Sequence, residues 1–139
     1  MSYGASAALQ AAVYLHLRDD AALAGLVGDA IFDAMPVAAP AGVFVTLGPE
    51  DVRNAGDVSA GGSRHDFVVS VLSGNDQAVG FAMVKQVAAR VADLLDEGQL
   101  TLSRGRLAGM WFLRAVARRM DNGAARQVDL TFRARVDLG

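Results

Sequence analysis

At 139 residues, 53% hydrophobic and 20% charged, the chain suits a single domain over residues 1–139, long enough to bury a core. It has no cysteine, which excludes disulfides, zinc–thiolate sites and thiol nucleophiles. A net charge of −2 argues against a surface that binds polyanions as a whole, and the longest apolar runs are too short to span a bilayer.

The opening MSYGASAALQ carries neither a basic leader nor a long apolar stretch, so no secretory signal is expected. Ser6 is placed to cap a first helix running to about Arg18. Leu9, Val13 and Leu17 lie four apart, and Ala12 and Leu15 widen the stripe. Asp19 or Asp20 caps a shorter helix, Ala21–Val27, which Gly28 closes. An extended piece at Ala30–Ala34 leads into a loop framed by Pro36 and Pro40. Val43–Val52 reads as a strand. Pro49 cannot donate to a ladder, so a bulge or a sheet edge is expected there. Asn54–Ser63 is a glycine-rich loop. Arg64–Ser73 is apolar on both faces, with Phe67, Val69 and Val71 one way and Val68 and Leu72 the other. That pattern predicts a central strand covered on both sides. Ser73, Asn75 and Asp76 offer caps for the longest helix, about Asp76–Glu97. Val84, Val87, Val91 and Leu94 form its stripe, with Phe81, Ala88 and Leu95 beside it and Gly98 as C-cap. Leu100–Leu102 reads as a short extended piece.

The stretch Arg106–Val136 predicts an antiparallel hairpin, because Asn122-Gly123 supplies the two positive-φ residues of a type I′ turn. That turn sets the register. Ala117 then meets Val128, Ala115 meets Leu130, Leu113 meets Phe132 and Trp111 meets Ala134, all on one apolar face. The other face pairs Arg118 with Gln127, Val116 with Asp129, Arg114 with Thr131, Phe112 with Arg133 and Met110 with Arg135. Arginine, methionine and aromatics together are the composition of an interface core, although arginine stems also cover apolar side chains on ordinary surfaces. Lys85 is the single lysine, so the other 12 of the 13 basic residues are arginine. Arginine suits bidentate interface contacts, and the bias also fits GC-rich coding. The whole order is α+β: a small, mostly antiparallel sheet with a long helix and an N-terminal helix packed on it, ending in a β-hairpin.

Chemistry is sparse. His16 stands near Asp19 and Asp20 but lacks the i, i+4 histidine pair of a helical zinc site, so it reads as a surface histidine. His65 and Asp66 are strand neighbours facing opposite ways and form no direct dyad; His65 reads as part of a polar strand end. Glu50 and Asp51 diverge for the same reason, which leaves them facing solvent or an interface partner. There is no G-x-S-x-G elbow, no P-loop, no dinucleotide fingerprint and no basic–aromatic nucleic-acid platform. No catalytic, cofactor-binding or metal residue is assigned.

Two segments carry a resemblance. LRDDAALAGLVGDAIFDAMP, following the opening helix, is similar to the start of tail terminator (tail completion) proteins of long-tailed phages, prophages and gene transfer agent particles. RLAGMWFLRAVARRMDNGAARQVDLTFRARV resembles their closing hairpin, and the helix Asp76–Glu97 falls where that family has its sheet-packing helix. The resemblance implies a structural virion protein and not an enzyme. It implies a homo-oligomeric ring, a hexamer, on the head-proximal end of the tail tube, touching the tube protein and the head connector. DNA would pass through without sequence reading. Assembly in the bacterial cytoplasm, then residence in the particle and no membrane contact, follow from the same resemblance. Within that frame the expected subunit interface is Met110, Phe112, Arg114, Val116, Arg118, Arg133 and Arg135, facing an acidic patch of Glu50, Asp51 and Asp57. Another head–tail connector or minor tail subunit, or a small ferredoxin-like enzyme or ligand-binding module, would share the same small α+β build. A buried cluster of His65, Asp66 and Arg64 with a second acid would favour the enzyme.

Overall fold

The computed structural model describes residues 3–38, 40–56, 61–73, 80–120 and 125–138. In chain order these form α1 (Ser6–Arg18), α2 (Ala21–Val27), β1 (Ile31–Phe32), β2 (Val43–Asn54), β3 (Gly62–Ser73), α3 (Phe81–Leu95), β4 (Arg106–Met120) and β5 (Ala125–Asp137). The five strands make one sheet in the order β1-β2-β3-β5-β4. The β1–β2 pair is parallel and the other pairs are antiparallel, so the fold is α+β around a mostly antiparallel sheet closed by a C-terminal hairpin.

Leu9, Val13 and Leu17 of α1, Leu23 of α2 and Val84, Val87, Val91 and Leu95 of α3 join one core with Val45, Val69, Val71, Leu130 and Phe132 of the sheet. All three helices therefore pack on the same sheet face. Phe132 sits at its centre, fully buried, stacked on Phe67 with ring centroids 5.6 Å apart and edge-on to Phe112 at 5.9 Å.

Several helix ends differ from expectation. Asp20 caps α2, accepting from the Leu23 N–H at 2.8 Å, and Gly28 closes that helix at φ 64°. Ser6 does not cap α1; it is the first helical residue, and its hydroxyl instead donates to Glu50. Among the proposed caps of α3, Asn75 and Asp76 lie outside the described residues. Ser73 accepts from the Arg126 N–H instead. At the far end the left-handed residue is Glu97, at φ 57°, not Gly98. Gly98 is closely surrounded: a Cβ there would lie 3.0 Å from both the Leu94 carbonyl oxygen and the Met110 methyl. Ala30–Ala34 shortens to the two residues of β1. Leu100–Leu102 forms no strand, though Leu100 and Leu102 pack against the core.

β2 runs through Pro49 with a register shift between Leu47 and Glu50, which is the expected bulge. β3 is central, but among the described residues no helix covers its second face, and Val68 and Leu72 there are only half-buried. The hairpin register is as expected from Arg114 to Met120, and it breaks below that. The shift between Phe112 and Arg114 makes Leu113 an extra residue and turns the side chains from Gly109 to Phe112 to the opposite face, until a second shift between Leu107 and Gly109 turns the strand back. Phe112 thus meets Phe132 rather than Arg133, Met110 meets Ala134 rather than Arg135, and Trp111 meets Arg133 rather than Ala134. The proposed turn Asn122-Gly123 lies outside the described residues.

Candidate functional site

The molecule presents three places where polar chemistry or exposed apolar surface is concentrated. The first is buried. Ser63 and His65 lie two apart on β3 and so share the helix-side face. The β2 bulge brings Glu50 to that face opposite Phe67. His65 Nε2 is 2.7 Å from Ser63 Oγ, and Nδ1 is 3.2 Å from Glu50 Oε2; the other carboxylate oxygen accepts from Ser6 Oγ at 2.6 Å. A serine–histidine–carboxylate chain has the connectivity of an acyl-transfer triad. Ser63 and His65 are, however, both 0% exposed, so no substrate reaches the hydroxyl. The chain of bonds ties the start of α1 to β2 and β3. The imidazole is not the polar strand end expected of it. Asp66 takes no part, because it points to the opposite sheet face. Ser63 was expected in the preceding loop, so its shared parity with His65 went unread until β3 proved to begin at Gly62; Glu50 required the bulge, which strand periodicity does not reveal.

The second place is the open face of the sheet. Its rows are charged: Arg53, Arg64 and Arg135 stand in register across β2, β3 and β5, and the next row is Asp51, Asp66, Arg133 and Trp111. Most of these charges are matched within the chain. Arg133 donates twice to Asp66, at 2.9 and 3.0 Å, and that guanidinium holds the Asp66 carboxyl below its usual range. Arg118 pairs with Asp129 at 2.9 Å, Arg53 with Asp51 at 3.4 Å, and Arg135 donates to the Ala55 carbonyl at 2.6 Å. Trp111 lies over Gly109, where a Cβ would meet the indole at 2.5 Å.

The third place is the outer edge of the sheet. β4 is an edge strand, and its residues from Trp111 to Arg119 are exposed on both faces. One stretch of the edge is closed off: the Glu97 N–H donates to the Met110 carbonyl at 2.8 Å, and the Phe112 N–H donates to Asp96 at 2.9 Å. Beyond Phe112 no strand among the described residues pairs with it. Between this edge and α3 runs an apolar groove of about 330 Å³, walled by Lys85, Ala89 and Ala92 of α3, with Phe112 and Ala115 of β4 opposite and Leu130 in its floor. Sequence reasoning missed the groove: it depends on how far α3 sits from the sheet edge, which no periodicity states.

The residues proposed for an interface are thus dispersed. Met110 is buried in the core at 1% exposure. Phe112 is partly exposed on the helix side, while Arg114, Val116 and Arg118 lie on the open side of β4. Arg133 and Arg135 sit one strand inward, engaged within the chain. Glu50 points into the molecule, Asp51 is exposed beside Arg53, and Asp57 lies outside the described residues. His16 is half-buried, 3.2 Å from the Leu94 carbonyl, so it joins α1 to α3 rather than standing free on the surface. Among the described residues no group of three or more histidine, cysteine, aspartate or glutamate residues could hold a metal ion. No described helix is long and apolar enough to cross a membrane.

The family model for tail completion protein gp17 matches residues 11–137. A solved structure described as the virion of a native gene transfer agent particle contains a chain 54% identical to this one. The match covers 98% of this chain and 99% of that one, with a TM-score of 0.89. No curated protein sequence matches.

Proposed function

The chain belongs to the tail completion protein gp17 family, and from that premise we propose that it works as a structural part of a gene transfer agent or phage-like particle, closing the head-proximal end of the tail tube as a ring of identical copies. The observation that carries this reading is the match over nearly the whole length to a virion chain at 54% identity. The molecule supports it in its own terms. Ser63 and His65, the hydroxyl and imidazole of that chain of bonds, are sealed from solvent, which suits a structural role rather than turnover. The long edge strand β4 offers Arg114, Val116 and Arg118 on its open side and Phe112 on its helix side to a neighbour, and a cyclic ring needs one patch to meet a different patch on the next copy. In this reading the copies assemble in the bacterial cytoplasm, stack on the tail tube protein, receive the head connector and let DNA pass through the lumen without sequence reading.

Negative-stain microscopy of particles from a strain lacking the gene tests the role. Abnormally long tails, or tails detached from heads, are expected. Particles of normal length with heads attached would overturn it.

A further inference from the structure

The groove between α3 and β4 has an apolar floor and no cover among the described residues. One end of it is strongly basic. Lys85, Arg119 and Arg126 converge on the Phe81 ring, with their charges 5.6, 5.8 and 5.7 Å from its centroid. No carboxylate among the described residues pairs with any of the three. Three cations gathered on one ring repel each other, so the cluster favours an acidic visitor.

The opposite sheet edge carries the complement. Where the chain leaves β1, Met35 is 59% exposed and Val37 is fully exposed, on either side of Pro36. Two exposed carboxylates precede it, Asp29 before β1 and Asp33 after it, and neither is in an ion pair among the described residues. With strand order β1-β2-β3-β5-β4, four strand spacings, roughly 19 Å, separate β1 from β4. No copy can therefore seat its own Met35–Val37 segment in its own groove.

We propose that the α3/β4 groove seats the Met35–Val37 segment of a second copy of this chain, with Asp29 and Asp33 of that copy meeting the Lys85–Arg119–Arg126 cluster. Each copy then carries one groove and one segment on opposite edges, which is the head-to-tail arrangement that closes a ring. Proline limits the conformations the segment loses on docking, and the apolar contact with the groove supplies the desolvated centre of the interface. The inference rests on the ring reading above and adds which surfaces meet.

The chain has no cysteine, so a crosslink can be introduced on a clean background. Val37→Cys and Ala89→Cys are both exposed changes that leave the core intact. Particles carrying the double variant, oxidised and probed through an epitope on this chain, are expected to give a ladder of covalent oligomers. Neither single variant should do so. Formaldehyde treatment of the same particles reports whether copies adjoin at all. Formaldehyde oligomers without a disulfide ladder would overturn the groove assignment while leaving the ring standing. Absence of oligomers by both treatments would overturn the ring reading beneath it.

Discussion

Asp20 serves two elements with one carboxylate. It caps α2 through the Leu23 N–H, and it accepts from Arg90 of α3 at 2.9 and 2.6 Å. The Arg90 guanidinium lowers its pKa from 3.8 to about 2, against the opposing effect of burial. A carboxyl with a lower pKa folded than unfolded stabilises the fold above its unfolded value, near 4. That contribution is lost as pH falls from there through about 2. Urea denaturation of Asp20→Asn is therefore expected to show a flatter loss of stability than the unaltered chain across that acid window. Asp20→Ala should cost about 1 kcal/mol more, because the cap goes too. The buried imidazole makes a different prediction. His65→Ala leaves a cavity and strands Ser63 and Glu50, a loss of about 2–4 kcal/mol by denaturation, whereas Ser63→Ala should cost about 1 kcal/mol and leave tail completion unchanged. The sequence offered Asp20 as a cap directly. Its second partner, Arg90, comes from 70 residues away, and no local pattern names it.

At the scale of elements, one residue in β4 decides what faces the core. Alternation alone placed Met110 with the arginines and Trp111 inside. The extra residue Leu113 reverses this, so that Met110, 1% exposed, fills the space beneath the end of α3 and the larger Trp111 lies over Gly109 on the open face. The Glu97 and Asp96 bonds to Met110 and Phe112 fix the strand in that position. Removing Leu113 should leave Phe112 opposite Phe132 and Arg114 opposite Thr131 in plain alternation, with Met110 still in the core. The expected outcome is a folded chain in which peroxide oxidation of Met110, read by peptide mass spectrometry, stays as slow as in the unaltered chain; faster oxidation would reject Leu113 as the extra residue. The upper half of the hairpin was legible because Ala115, Ala117, Val128 and Leu130 alternate without interruption. The lower half was not, because a bulge adds a residue without leaving a compositional mark. The Pro49 bulge in β2 was legible for the opposite reason: proline cannot donate, and the ladder must break around it.

For the whole molecule, the packing is one-sided. Three helices cover one face of the sheet, while the other face is a lattice of arginines and aspartates that largely satisfy one another. An exposed edge strand ordinarily invites uncontrolled pairing. Here Asp96 and Glu97 occupy one stretch of it, and Arg114, Arg118 and Arg119 place charge along the rest, which favours a specific partner over a generic strand. The sequence by itself determined the main helices and strands and the α+β class, since these rest on periodicity that acts over a few positions, while the family came from the resemblance of two particular segments. Only the tertiary structure decided that β3 is covered on one side, that Glu50 turns inward to His65, and that an apolar groove opens between α3 and β4. Those features depend on strand register and on the distance between elements remote in the chain, and both are set by how the finished core packs.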